Sequence, residues 1–226
     1  MKYRQNQSGR EVYVSNFLNN RGVYRKIFDE DIEPVYNVKL QKLGVDFFVP
    51  SRYIFIDEKA AVNYAGTNIR NMVGDYINLS NNNVGWMADK KSLTTHIMQE
   101  FIILKDNSKR KTFTESDIFA IDIMFIDFGR LRKYLNDINW DIDTAMEILR
   151  DMNDNNVSLR RNPIDSSVEL RITNDLREKP AYVRIKKNTL VNKIGAELCH
   201  VTCDGEVNLG FMPYNLIPES SRSDWR

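Results

Sequence analysis

The 226-residue chain predicts an α/β (α+β) fold with a central mixed β-sheet flanked by helices. Three observations carry that expectation. Short alternating or β-branched runs recur between residues 35 and 60 and again after residue 96. Two later stretches, 130–135 and 144–152, instead place apolar residues at helical spacing. A run of strands followed by mixed helices and strands fits one domain built around one sheet.

Composition excludes several classes. With 42% hydrophobic, 11% aromatic and 28% charged residues, the chain can bury a core and is not disordered. Its mean hydropathy is -0.47, and no apolar run approaches the ~18–20 residues of a membrane span. Met1 to Ser8 is followed by no apolar h-region, so no signal peptide and a cytoplasmic location are expected. The 32 Lys+Arg against 31 Asp+Glu leave a net charge of +1. Bulk attraction to nucleic acid usually needs a basic excess, so any such role must rest on a local site.

Residues 8–22 read as a short helix, with Val14, Phe17 and Leu18 on one face and Gly22 as a stop. An acidic turn over 29–34 leads to an alternating strand at 35–40. Val45 to Val49 and Tyr53 to Ala60 read as a hairpin joined by Pro50-Ser51-Arg52. Residues 68–79 fit either a helix or an irregular segment, and 81–85 is a loop by composition. Strands are expected at 96–104, 117–128, 168–173, 181–185 and 197–203. Helices are expected at 130–135, 144–152 and 188–194, with Asp141 or Asp143 capping the second. The tail from Pro218 to Arg226 is polar and expected to fray. The chain divides into a core over 1–110 and an α/β extension over 111–226, continuous with the same domain.

One cluster stands out for its chemistry. Gly44-Val45-Asp46 is followed 11 residues on by Asp57-Glu58-Lys59, at the end of the apolar run Tyr53 to Ile56. On a strand, Asp57 and Lys59 share a face about 6.6–6.8 Å apart, while Glu58 points the other way. The short turn can bring Asp46 beside Asp57. Two converging carboxylates suit Mg²⁺, which takes one or two carboxylates plus waters and phosphate oxygens. A neighbouring ammonium can orient a water or offset charge on a phosphate. The plain alternative is a charged strand end at a hairpin.

The order of helix, strand, Asp-bearing strand and apolar strand ending in Asp-x-Lys resembles the PD-(D/E)XK nuclease superfamily. Gln41-Lys42-Leu43-Gly44-Val45-Asp46, Ile56-Asp57-Glu58-Lys59-Ala60 with Tyr64, and Gly85-Trp86 resemble a group of bacterial members of it. The likeness runs over roughly residues 9–104. It departs at Val45, where the superfamily's name has proline, and at Thr95-His96. The resemblance implies a restriction-endonuclease-like core, with Asp46 and Asp57 as ligands of Mg²⁺ (or Mn²⁺) and Lys59 as catalytic lysine. It further implies a supporting carboxylate from the first helix, best matched by Glu11, and a polar contact from Gln41. Glu11 also has a simpler role, since acids in a first helical turn favour the dipole.

Other candidates stand beside plainer structural alternatives. Arg130, Arg132, Lys133, Arg160 and Arg161 can meet DNA phosphates, or form solvated faces; Lys186-Lys187 has the same standing. Trp86 can stack on a base or anchor a loop. Cys199 and Cys203, spaced for one strand face at roughly 13 Å, are too far apart for a disulfide. A zinc set of Cys199, His200, Cys203 and His96 stands against plain buried cysteines.

These residues are read as a metal-dependent endonuclease acting on DNA, possible as a homodimer because one such site cuts one strand. The alternatives are a catalytically inactive nuclease-fold module that binds nucleic acid or a protein, and an unrelated α/β interaction protein.

Overall fold

The computed structural model describes residues 9–67, 69–106, 108–174 and 176–210. Met1 to Ser8 and the polar tail from Pro218 lie outside the described residues. In chain order the elements are α1 (Gly9–Asn20), α2 (Val23–Phe28), β1 (Glu33–Pro34), α3 (Val38–Lys42), β2 (Phe47–Val49) and β3 (Ile54–Ala60). Next come β4 (Asn71–Asn78), β5 (Asn83–Val84), β6 (His96–Leu104), β7 (Ile118–Asp127), α4 (Phe128–Asp137) and α5 (Ile142–Asp154). The chain continues through β8 (Leu159–Arg161), β9 (Val168–Ile172), β10 (Pro180–Lys186), α6 (Lys187–Thr189), β11 (Glu197–Thr202) and β12 (Val207–Leu209). No helix among the described residues is long and apolar enough to cross a membrane.

The fold is mixed α and β, as the sequence predicts. Its strands form two sheets, where a single sheet was expected. The chain divides into two compact units that interleave along the sequence. Among the described residues, unit 1 takes those within 9–69, 93–126 and 196–210, and unit 2 takes those within 70–92 and 127–195. Residue 110 thus lies inside unit 1.

Unit 1 is built on a seven-stranded sheet in the order β1-β2-β3-β6-β7-β11-β12. The sheet is mixed, because β3 runs parallel to β6 while β2 and β3 form the expected antiparallel hairpin. Ile56, Met98, Ile121, Ile123, Cys199 and Val201 project from one face into a core completed by Val14, Phe17 and Leu18 of α1 and Val23, Tyr24 and Phe28 of α2. Strand alternation then puts Asp57, Lys59, Gln99, Asp122 and His200 on the opposite face. Gly22, at φ 60, turns the chain between the two helices as well as ending the first.

The strand expected at 35–40 is absent. Val38 is 61% exposed, so its alternating neighbours have no core to face. Instead the Asn37 side chain accepts a hydrogen bond from Lys39 N and starts α3.

Unit 2 carries a five-stranded antiparallel sheet in the order β5-β4-β10-β9-β8. Its strand β4 resolves the segment the sequence left between helix and irregular. Met72, Gly74 and Tyr76 point inward while Val73 and Asp75 are exposed, and pairing with β10 fixes that alternation. Gly74 weakened the apolar signal; a Cβ there would lie 2.3 Å from Met87 Cγ. Helix α5 starts where expected, with Asp141 accepting from Asp143 N and Thr144 N and burying Ala145, Leu149 and Met152.

Candidate active site

Asp46 sits in the loop between α3 and β2, with its backbone bonded on both sides. Its N–H donates to Ile56 O (2.8 Å) and its carbonyl accepts from Val35 N (2.9 Å). The side chain is oriented too: Asp46 Oδ2 accepts from the backbone N–H of Glu58 at 3.0 Å. That bond ties the loop to the middle of β3, and it aims the Asp46 carboxylate at the strand carrying Asp57.

Asp57 is 4% exposed. Its carboxyl lies within hydrogen-bond reach of Asp46, and its Oδ1 is 2.7 Å from Lys59 Nζ. The Lys59 side chain is one-third exposed. Thus the structure brings together the three residues that the sequence singled out. Burial pushes the Asp57 carboxyl up to about 6; Lys59 pulls against that shift and the Asp46 charge adds to it. Within this cluster two carboxylates thus face one ammonium.

Neighbouring elements hold this geometry. Lys59 pairs with Gln99 across the parallel β3–β6 ladder, and Gln99 Nε2 donates to Lys59 O at 2.6 Å. Thr95 bonds Phe55 through both backbone and side chain at 2.9 to 3.1 Å. Thr94 Oγ1 donates to Gly44 O at 2.7 Å, two residues before Asp46. On the opposite face, Glu58 accepts from Tyr24 OH. Nothing in the sequence marks Tyr24, Thr94 and Gln99, because their roles depend on which strands lie side by side.

The remaining residues fall differently. Gln41 Nε2 donates to Val35 O (2.8 Å) and so tethers the chain ahead of Asp46. Glu11 occupies the first turn of α1, on the helix covering the sheet face that Asp57 and Lys59 point away from. His200, on the same face as Lys59, is 2.7 Å from Asp122 through Nδ1. The expected strand face for both cysteines does not hold. Cys199 is buried on the core face, its thiol pushed up to about 12 by burial and the Asp122 charge, whereas Cys203 is exposed beyond the strand end. His96 stacks on Phe125 at 4.9 Å.

Among the described residues, no group of three or more His, Cys, Asp or Glu side chains is placed to hold a metal. The donors that do converge, Asp46 and Asp57, are hard oxygens. Such a pair fits Mg²⁺ or Mn²⁺, which complete their shells with waters and phosphate oxygens, better than it fits zinc.

No family model, curated protein or solved structure matches the chain. The functional reading therefore rests on the site's own geometry.

The basic residues considered for DNA contact all lie in unit 2, and each is engaged locally. Arg130 faces Asp127 at 3.5 Å, Lys133 faces Asp137 at 2.6 Å, Arg160 faces Asp151 at 2.8 Å and Arg161 faces Glu169 at 3.2 Å. The Arg132 guanidinium stacks 4.1 Å from the Phe128 ring centroid and donates to Asp89 O. Lys186 is exposed, whereas Lys187 is buried. Trp86 is half-buried with its ring 6.0 Å from Phe128, which favours the loop anchor over the base stack.

Gly85, its neighbour, has a steric reason to be glycine. A Cβ would lie 2.3 Å from Asp75 O and 2.5 Å from Asp75 C, both backbone atoms. Retreat is blocked because Gly85 N donates to Tyr76 O at 2.8 Å. Gly85→Ala is expected to lower stability by about 1–3 kcal/mol or more, read by urea denaturation. A change below about 0.5 kcal/mol, the range of neutral surface substitutions, would contradict this close approach.

Proposed function

We propose that the chain is a divalent-metal-dependent nuclease that hydrolyses phosphodiester bonds, with DNA as its substrate. The supporting observation is the constellation of Asp46, Asp57 and Lys59: two carboxylates in hydrogen-bond reach, one nearly buried, with an ammonium 2.7 Å away. Holding such a pair together in a buried strand costs free energy, and that cost is characteristic of functional sites.

Asp46 and Asp57 would hold Mg²⁺ or Mn²⁺, which when bound offsets negative charge developing on the scissile phosphate. The remaining work falls to the chain. Asp57 must be ionised to bind. Lys59, one-third exposed, would direct a water toward phosphorus and share the charge that builds there. The Glu58 N–H holds the Asp46 carboxylate, the Gln99 amide holds the β3 backbone at Lys59, and Lys59 holds the Asp57 carboxylate, so the site is arranged before substrate arrives. A cytoplasmic setting accompanies this reading, and a homodimer would let two sites cut two strands; gel filtration reads the latter.

Plasmid and single-stranded DNA incubated with Mg²⁺ or Mn²⁺ test the proposal. Wild type should cleave, while Asp57→Ala and Lys59→Ala should lose on the order of 10²-fold or more in rate. Equal cleavage by all three proteins would remove the assignment.

One observation favours a second reading, a nuclease-fold module that binds nucleic acid or a protein without cutting. Lys59 is already committed to Asp57, as in a self-satisfied ion pair. Calorimetry with Mn²⁺ separates the two: the module predicts no metal binding that Asp46→Ala abolishes.

A further inference from the structure

Glu169, on β9, lies one strand in from the β8 edge of the unit 2 sheet, with its side chain only 8% exposed. Three arginines converge on it. Arg161 Nε and Arg171 Nε reach it at 3.2 and 3.1 Å, and Arg184 Nη2 reaches it at 2.5 Å. Burial alone would push its carboxyl up, yet the arginines hold it below the usual carboxylate range.

One guanidinium is enough to neutralise one carboxylate, so this cluster carries surplus positive charge. The register explains how it forms. Glu169 stands directly opposite Arg184 on β10 and Arg161 on β8. Arg171 lies two residues further along β9, on the same face, opposite Tyr182. The three arginines thus come from three adjacent strands and meet at the single Glu169 carboxylate. Lys186 projects from the same face of β10 and is exposed. Among the described residues of β4, β8, β9 and β10 on this face, Asp75, opposite Tyr182 on β4, is the second acid, so Arg161, Arg171, Arg184 and Lys186 stand against two carboxylates.

The alternate residues of these strands, Val168, Leu170, Val183 and Ile185, are fully buried. The arginine face is therefore the outer one: the Arg161 side chain is 66% exposed, and those of Arg171 and Arg184 about one-third. Each guanidinium has five N–H donors, and Glu169 has only two oxygens to share among the three. Its carboxylate fixes the planar forks in place, which lowers the side-chain entropy lost when a further acceptor binds.

We infer that this outer sheet face binds the phosphate backbone of a single nucleic-acid strand, with Arg161, Arg171 and Arg184 as phosphate contacts and Tyr182 as a stacking platform for a base. The choice of partner rests on the nuclease reading. The chemistry fits it: fixed guanidinium forks match phosphate oxygens, and an open sheet face with a half-buried tyrosine suits unstacked bases. Near-zero net charge is no obstacle, because the surplus is concentrated on one face.

Fluorescence anisotropy of a labelled 30-nucleotide single strand, with the full chain in EDTA so that no cutting occurs, tests the inference. Arg161→Gln, the most exposed change, should weaken binding several-fold. The Arg161→Gln/Arg171→Gln/Arg184→Gln variant should weaken it at least tenfold and lower the salt-dependence slope by about 2, at roughly 0.7 per phosphate contact on a single strand. Wild-type affinity and slope in both variants, with native circular dichroism, would overturn it. So would poly-glutamate displacing the strand at equal charge concentration, an outcome that indicates an acidic protein partner. Metal-dependent cleavage by wild type, scored separately, shows which reading has failed. Cleavage without arginine-dependent binding removes only this inference, and arginine-dependent binding without cleavage removes only the nuclease.

Discussion

Asp57→Asn is expected to stabilise the metal-free protein at neutral pH while abolishing divalent-metal binding and cleavage. In the fold the Asp57 carboxyl is pushed up to about 6 from an ordinary 3.8, chiefly by burial. An acid raised in this way binds its proton more tightly folded than unfolded. Its contribution to stability is therefore fully present below about pH 4 and is lost as pH rises through about 6. The loss corresponds to on the order of 2–3 kcal/mol once both states are ionised. Asparagine has no charge to desolvate. The stability difference between Asp57→Asn and wild type should thus be small at pH 4 and favour the variant by pH 7.

Denaturant titrations of both proteins across that range, in EDTA, measure the difference directly. Taking the difference isolates Asp57 from other carboxyls, such as Asp165, that are held low and gain stability with rising pH. Mn²⁺ should then reverse the ranking, raising the wild-type melting temperature and leaving the variant unmoved. A difference that is flat with pH would mean Asp57 is not a strained ionised acid in the folded protein. A cleavage assay with Mg²⁺ across the same pH range tests the consequence for catalysis. Metal binding needs ionised Asp57, so activity should fall as pH drops through about 6.

Phe17→Ala is expected to lower stability by about 3–5 kcal/mol. Phe17 is fully buried in the core where α1 and α2 cover one face of the seven-stranded sheet. Truncation leaves a cavity between that helix and the sheet and also removes the ring beneath the Arg21 guanidinium, 3.9 Å from its centroid. A loss this large approaches the whole stability of many domains, so urea denaturation should show the variant partly unfolded at low denaturant. A change under about 1 kcal/mol would mean that α1 is not seated on the sheet as described.

Glu58 shows where local reading of the sequence stops being sufficient. Alternation along β3 places it opposite Asp57 and Lys59, and that much follows from the strand period. Nothing local says that its carboxylate meets Tyr24 OH or that its N–H orients Asp46. Likewise, Arg161 stands out in sequence beside Arg160, but the two separate. Arg160 goes to Asp151 on α5, while Arg161 joins Arg171 and Arg184 around Glu169. Adjacent strand residues point to opposite faces, so a basic pair in sequence need not be a basic pair in space.

The sequence by itself determined the mixed α and β content, strands such as β6 and β7, a cap for α5 at Asp141 or Asp143, and Asp46, Asp57 and Lys59 as one candidate cluster. Those features depend on period, capping chemistry and a hairpin turn, all of which act within a few residues. Only the tertiary structure decided that the strands form two sheets, that residues 71–78 are one of them, and that 35–40 is not. It alone set Gln99 beside Lys59 and gathered three arginines on one carboxylate. Each of these depends on pairing between segments far apart in the chain, and hydrogen bonds between strands carry no signature in the residues of either strand alone.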